Sequence, residues 1–97
     1  MQPSITRVVK LTLQYHQIDA FKKLFAEHTT KIAEFEGCLE LKGFQDSKEP
    51  QLFFTISRWQ SEQHLDNYRF SDFFKSLWSK VKPMFADKAE AHSMTEV

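Results

Sequence analysis

Three side chains of this sequence could transfer a proton or stabilise an anion. They are His28, Arg58 and Tyr68. An imidazole exchanges its proton near neutral pH, so His28 is the best general acid or base in the chain. The Arg58 guanidinium and the Tyr68 hydroxyl can donate hydrogen bonds to an anion that develops during a reaction. These three residues are therefore the candidate catalytic set.

Each of the three also has a purely structural interpretation. His28 falls in an apolar stripe of a predicted helix, where a histidine is often hydrogen-bonded within the core. Tyr68 either lines a pocket or packs in the core, because its hydroxyl must be paired or stay in contact with water. Arg58 precedes Trp59 in a predicted strand and should point to the opposite side, which favours an ion pair at the surface or at an interface. The sequence leaves these alternatives open.

Large aromatic side chains near these candidates could form the walls of a pocket. The chain has ten Phe, two Trp and two Tyr, which is more aromatic area than a core of this size usually needs. Core packing is the competing interpretation, and for Trp59 it means filling a strand–helix corner. The candidate substrate-binding residues are Trp59, Phe73, Phe74 and Trp78.

Composition argues against several other classes of protein. The 13 basic and 13 acidic side chains cancel, so the chain lacks the positive charge that nucleic-acid binding requires. Cys38 is the only cysteine, and no histidines or carboxylates have a tight ligand spacing, so neither a disulfide nor a metal site is expected. No apolar stretch approaches the ~20 residues of a membrane span, and no basic-then-apolar run indicates a signal peptide. We expect a cytoplasmic protein with no nucleic-acid or membrane partner.

The period of the apolar side chains predicts the elements that position these candidates. Residues 5–14 alternate as a strand. From Gln17 the apolar residues recur every three or four positions, which predicts an amphipathic helix that stops at Glu36-Gly37, where glycine can adopt the left-handed conformation. Two further strands, Cys38–Gln45 and Gln51–Trp59, are separated by turn-forming residues and should pair as a hairpin.

The second half of the chain contains two helix starts. Ser61 and Ser71 each offer a side-chain oxygen as an N-cap, so the second helical region should be broken in two. Pro83 should kink or end the later helix, and residues 90–97 predict a last strand. The order is βαββαβ, the ferredoxin-like arrangement of an α+β protein with an antiparallel sheet. We expect residues 1–97 to form one domain.

The third strand has apolar side chains on both faces. Leu52, Phe54 and Ile56 lie on one face, and Phe53 and Trp59 lie on the other. Helices can cover only one face of such a sheet. A second copy of the same sheet is the simplest cover for the other face, which predicts a homodimer.

The segment Arg58-Trp59-Gln60-Ser61, with Leu65, Tyr68, Ser71 and Phe73-Phe74, resembles the signature of the antibiotic biosynthesis monooxygenase family. This family is a branch of the dimeric α+β barrel proteins. The opening strand, the Phe-rich first helix and the step Phe35-Glu36-Gly37-Cys38 extend the resemblance over nearly the whole chain. The resemblance implies a homodimer of face-to-face sheets, with a small pocket between sheet and helices in each subunit.

The resemblance also implies an activity. Members that oxidise quinols bind a flat, multi-ring substrate and need no cofactor, because the electron-rich substrate itself reduces oxygen. The implied function is thus a cofactor-independent monooxygenase acting on a small electron-rich aromatic or quinol-like molecule. The alternative is a non-catalytic module of the same fold that binds a small molecule or only dimerises. Haem-degrading relatives carry an Asn, a Trp and a His where this chain has Val9, Tyr68 and Trp78, which disfavours haem degradation.

Overall fold

The structure of the protein is a computed structural model that describes residues 3–97. One sheet contains four strands in the spatial order β2-β3-β1-β4, and each neighbouring pair is antiparallel. The strands are β1 (Ile5–Thr12), β2 (Cys38–Gln45), β3 (Leu52–Trp59) and β4 (Glu90–Met94). The helices are α1 (Ile18–Ala33), α2 (Glu62–Arg69) and α3 (Asp72–Val81). This confirms the predicted α+β class and the ferredoxin-like order βαββαβ.

The central strands β1 and β3 set which side chains face the helices. Ile5 lies opposite Trp59, and Leu11 lies opposite Phe53. These four residues are buried. Because alternate residues of a strand share a face, the odd-numbered positions of β1 and β3 form the inner face of the sheet and the even-numbered positions form the outer face.

Two groups of buried residues lie toward opposite ends of β1 on the inner face. One group surrounds Leu11 and includes Phe21, Phe53 and Val81. The other joins Ile5, Trp59 and Leu65. Arg7 and Val9 occupy the inner positions of β1 between the two groups, so this middle region of the sheet is available to a cavity.

The serines predicted to start the two later helices do so. The Ser61 hydroxyl accepts a hydrogen bond from the backbone N–H of His64 at 3.2 Å. The Ser71 hydroxyl accepts one from the backbone N–H of Phe74 at 3.1 Å. Each bond satisfies an amide of the first helical turn that would otherwise lack a partner. Helix α3 ends at Val81, and Pro83 lies in the 3-10 turn that follows.

Helix α1 ends earlier than the sequence predicts, at Ala33 rather than at Glu36-Gly37. The chain then turns so that the Gly37 carbonyl accepts a hydrogen bond from the Gln60 backbone N–H at 2.8 Å. A continuing helix would direct this carbonyl along its own axis, away from Gln60. Gly37 does adopt the left-handed conformation, with φ of 88°.

Strand boundaries also differ at three places, the smallest difference being the start of β3 at Leu52 rather than at Gln51. Strand β1 ends at Thr12 rather than at residue 14, because the chain enters a 3-10 turn at Tyr15–Gln17. Strand β4 ends at Met94 rather than at residue 97, and its pairing with β1 covers only five residues. No helix within residues 3–97 is both long enough and apolar enough to cross a membrane.

Candidate active site

A cavity of about 340 Å³ lies between the inner face of the sheet and the helices. Pockets that bind small molecules typically measure ~300–1,000 Å³, so this one suits a compact ligand. The floor of the cavity comes from β1 and β3, and the helices supply its walls. The floor residues are Arg7, Val9, Leu11, Thr55, Ser57 and Trp59.

Four aromatic residues from β3, α2 and α3 form one continuous wall of this cavity. Trp59 stacks on Tyr68 with ring centroids 4.9 Å apart, and Tyr68 meets Phe74 edge-on at 5.0 Å. Phe74 then stacks on Trp78 at 5.7 Å. All four were candidate site residues from the sequence, and all four line the cavity. Stacked and edge-on contacts hold the wall rigid and leave flat apolar surfaces for a ring-shaped ligand.

Trp59 fills the strand–helix corner and also belongs to the lining of the cavity. Its side chain is fully buried, and its indole N–H donates to the Ser57 hydroxyl at 2.9 Å. The hydrogen bond satisfies the buried indole nitrogen and fixes the ring at the strand–helix corner. The fixed indole therefore supports Tyr68, whose ring stacks on it.

Phe73 does not line the cavity. Its ring lies 6.4 Å from His28 and 6.5 Å from Phe35, behind the aromatic wall. Phe73 and Phe74 are adjacent in α3, so their side chains point about 100° apart around the helix axis. Only the packing of α3 against α1 decides which of the two faces the cavity.

His28 reaches the cavity from α1. Its Nδ1 lies 2.9 Å from the backbone carbonyl oxygen of Leu24. A carbonyl oxygen can only accept, so in the neutral ring the hydrogen is on Nδ1 and Nε2 keeps its lone pair. His28 is therefore held in the tautomer that can take a proton through Nε2.

Tyr68 is largely buried, yet within residues 3–97 its hydroxyl makes no hydrogen bond. Every fully buried polar side-chain atom of the described residues has a partner, so this hydroxyl keeps some accessible surface. Burial raises the pKa of Tyr68 well above its ordinary value, with a smaller contribution from Cys38 and an opposing one from Arg7. Tyr68 therefore stays protonated and can act as a hydrogen-bond donor.

Arg58 is not brought to this cavity. It occupies an even-numbered position of β3, on the outer face of the sheet, and its Nε lies 3.7 Å from a carboxylate oxygen of Glu40. The strand alternation that turns Trp59 inward turns its neighbour Arg58 outward. The structure thus separates Arg58 from His28 and Tyr68.

Two other arginines, neither of them a candidate from the sequence, line the cavity instead. Arg7 comes from β1, and its Nη1 donates to the Ser93 hydroxyl at 3.0 Å. Arg69 comes from the end of α2, with its Nη1 3.7 Å from a carboxylate oxygen of Asp66. Burial lowers the pKa of Arg7, as does the nearby positive charge of Arg69. The sequence does contain a pattern that predicts the position of Arg7. It lies between Ile5 and Val9 at an alternate position of β1, and alternate positions of a strand face the same side.

The fold of this chain is a ferredoxin-like sheet with an aromatic cavity between the sheet and its helices. Residues 4–77 match the antibiotic biosynthesis monooxygenase family. The chain belongs to this family, as its resemblance to the family signature predicts.

Solved structures share the fold over almost the full chain. A conserved protein from Methanosarcina mazei Go1 superposes with a TM-score of 0.92 at 20% identity, covering 99% of this chain and 95% of that one. An antibiotic biosynthesis monooxygenase superposes with a TM-score of 0.89 at 22% identity, covering 96% of this chain and 98% of that one. A protein from Caulobacter crescentus CB15 superposes with a TM-score of 0.91 at 23% identity, covering 99% of this chain and 92% of that one. No curated protein matches the chain significantly.

Proposed function

We propose that this protein is a cofactor-independent monooxygenase that acts on a small electron-rich aromatic or quinol-like molecule bound in the cavity. One observation carries the proposal: a histidine held in its proton-accepting tautomer and a protonated tyrosine line the same aromatic cavity. Membership of the antibiotic biosynthesis monooxygenase family supports it.

The proposed reaction consumes one O₂ for each phenol oxidised. One oxygen atom bonds to the ring carbon opposite the hydroxyl group and becomes a carbonyl oxygen. The other oxygen atom leaves as water, together with the phenolic hydrogen and the hydrogen of that carbon. The substrate supplies all four electrons that reduce O₂, so the product is a quinone and no separate reductant is consumed.

The residues of the cavity have distinct roles in this scheme. His28 accepts the phenolic proton at Nε2, which raises the electron density of the ring. The ring transfers electrons to O₂, and a carbon–peroxide bond forms at the carbon opposite the phenolate. The protonated His28 then returns its proton to the peroxide. Loss of the hydrogen from the same carbon breaks the O–O bond and releases water.

Tyr68 and the aromatic wall act on the charged intermediates. The Tyr68 hydroxyl is free of other protein partners within residues 3–97, so it can donate to a phenolate or peroxide oxygen. The rings of Trp59, Phe74 and Trp78 keep water from the reacting atoms, which strengthens this hydrogen bond.

Oxygen uptake with a panel of one- to three-ring phenols and quinols tests the proposal. We expect His28→Ala to lower the rate by about 100-fold, the size typical of losing a general base. His16→Ala is the matched control, because His16 is exposed and outside the cavity. Saturable binding of these molecules with no oxygen uptake by the wild type would contradict the enzyme and favour a non-catalytic binding module.

We also propose that two copies associate through the outer faces of their sheets. Helices leave this face uncovered in one chain, and Phe44 and Ile56 on it are 49% and 37% exposed. Exposed apolar residues side by side on a sheet are typical of an interface. The cavity opens on the other side of the sheet, so the association leaves the proposed active site clear. A cytoplasmic location stays a prediction from composition.

A further inference from the structure

The charged side chains that line the cavity within residues 3–97 are all positive. They are Arg7 and Arg69, and no aspartate or glutamate joins them in the lining. An apolar phenol alone gives no reason for a guanidinium here, because bringing a charge out of water is costly unless it is paired.

The two arginines have only one protein carboxylate between them. Arg69 pairs with Asp66 at 3.7 Å. The described residues give Arg7 no carboxylate within 4.0 Å, and its hydrogen-bond partner is the neutral hydroxyl of Ser93. The pair of guanidinium groups therefore retains one uncompensated positive charge. Of the five N–H donors that Arg7 carries, most are left for another group.

This charge lies at one end of the cavity. Arg7 is on the inner face of β1 close to Ile5, and Arg69 follows Tyr68 at the end of α2. The opposite end is formed by apolar side chains from the core group around Leu11, including Phe21 and Val81. A ligand that fits both ends carries an anionic group at one end and a ring system at the other.

We propose that the substrate is a hydroxylated aromatic carboxylate, and that Arg7, assisted by Arg69, binds the carboxylate. The oxidation of the hydroxylated ring rests on the proposed function. The binding of the carboxylate by the arginines does not depend on it. A planar guanidinium matches a carboxylate through two parallel hydrogen bonds. One uncompensated charge also matches a monoanion such as a carboxylate better than a doubly charged phosphate monoester.

Two parts of the site bind two parts of the substrate. Arg7 and Arg69 hold the anionic end, and the aromatic wall holds the rings. The hydroxyl group then lies beside the aromatic wall, in the cavity that His28 also lines. Arg7 and Arg69 are binding residues in this scheme and take no proton.

Calorimetric titration with 5-hydroxy-2-naphthoate and with its neutral amide, 5-hydroxy-2-naphthamide, tests the inference, because in both probes the carbon opposite the hydroxyl carries the hydrogen that the proposed oxidation removes. The two probes have the same ring system and differ in charge. We expect the wild type to bind the carboxylate at least 10-fold more tightly than the amide, as loss of a charged hydrogen-bonded pair implies. Arg7→Gln should remove this preference, and Lys23→Gln, an exposed charge change on α1 outside the cavity, should keep it.

A second variant covers the case in which Arg7→Gln does not fold. Arg7→Lys keeps the charge and loses the planar fork, and we expect it to retain only part of the preference. Equal binding of the two probes by the wild type would overturn the inference, and so would the absence of carboxylate binding across one- to three-ring analogues. Tighter binding of 5-hydroxy-2-naphthyl phosphate than of the carboxylate would replace the carboxylate by a phosphate.

The outcomes also separate this inference from the proposed function. Carboxylate-selective binding without oxygen uptake would leave the inference intact and remove the monooxygenase. Equal oxygen uptake with the carboxylate and with the amide would leave the monooxygenase intact and remove the carboxylate requirement.

Discussion

Tyr68 combines a tightly packed ring with a hydroxyl that has no protein partner among the described residues. Its ring packs between Trp59 and Phe74, while its hydroxyl keeps some accessible surface, and the residue lines the cavity. The packing stabilises the protein, and the free hydroxyl is available to a ligand. Removal of the oxygen alone should therefore affect activity far more than stability.

We predict that Tyr68→Phe lowers the rate of oxygen uptake about 100-fold, as is typical when one donor to an oxyanion is lost. Its free energy of unfolding should change by less than about 1 kcal/mol, because the hydroxyl gives up no protein hydrogen bond among the described residues. Oxygen-electrode assays and urea unfolding measure the two effects. Tyr15→Phe is the matched control, since Tyr15 is 63% exposed. Equal rates for Tyr68→Phe and Tyr15→Phe would contradict the proposed role.

The raised pKa of Tyr68 gives a second prediction at the same scale. Below pH ~10 the tyrosine is protonated in both the folded and the unfolded chain, so it adds no pH dependence. Above pH ~10 the unfolded chain loses this proton while the folded protein keeps it, so stability falls as pH rises. Urea unfolding between pH 8 and pH 12 should show a steeper decline for the wild type than for Tyr68→Phe. Parallel curves would show that Tyr68 titrates alike in both states.

At the scale of elements, the turn between α1 and β2 depends on Gly37. Its φ of 88° is unfavourable for other residues, and a Cβ atom there would overlap the His64 side chain. The same turn brings Phe35 edge-on to Tyr68 at 5.3 Å, so it also supports the aromatic wall. The backbone at this glycine thus links the end of α1 to the site.

We predict that Gly37→Ala lowers the free energy of unfolding by about 2 kcal/mol or more, through left-handed strain and overlap with His64. In a His64→Gly background, which removes the Cβ and the ring atoms that the new Cβ would meet, the same change should cost only about 1 kcal/mol. Urea unfolding of the four proteins of this cycle gives both values. Equal costs in the two backgrounds would show that His64 does not restrict this position.

Strand alternation and helix starts could be predicted from the sequence, because each depends on neighbouring residues. Inward Trp59, outward Arg58 and the N-caps Ser61 and Ser71 follow from such local rules. The end of α1 depends on the long-range bond between Gly37 and Gln60, which no local pattern shows. Arg7 was missed because only apolar residues were counted toward the inner face, and the choice between Phe73 and Phe74 depends on how α3 packs.

At the scale of the whole molecule, the sheet has one covered and one uncovered face. The uncovered face mixes exposed apolar residues with ion pairs, such as Lys10 with Glu90 at 3.3 Å. Each of these pairs is open to solvent and adds little stability on its own. The apolar residues therefore provide most of the drive for two sheets to associate.

We predict that the wild type sediments as a dimer at micromolar concentration and that Ile56→Lys shifts it toward the monomer. A lysine at this central position would place an unpaired charge between the two sheets. Ala26→Lys, on the exposed surface of α1, should leave the dimer intact. A wild type that sediments as a monomer would contradict the association through the outer face.

Trp59 and Trp78 are the only tryptophans of this chain, and both belong to the cavity wall. The ultraviolet emission of the protein therefore originates almost entirely from its proposed active site. An occupant that stacks against the partly exposed Trp78 indole should alter the intensity or the wavelength of that emission. The protein thus contains its own optical reporter, so a screen for ligands needs no label and can begin before any substrate has been identified.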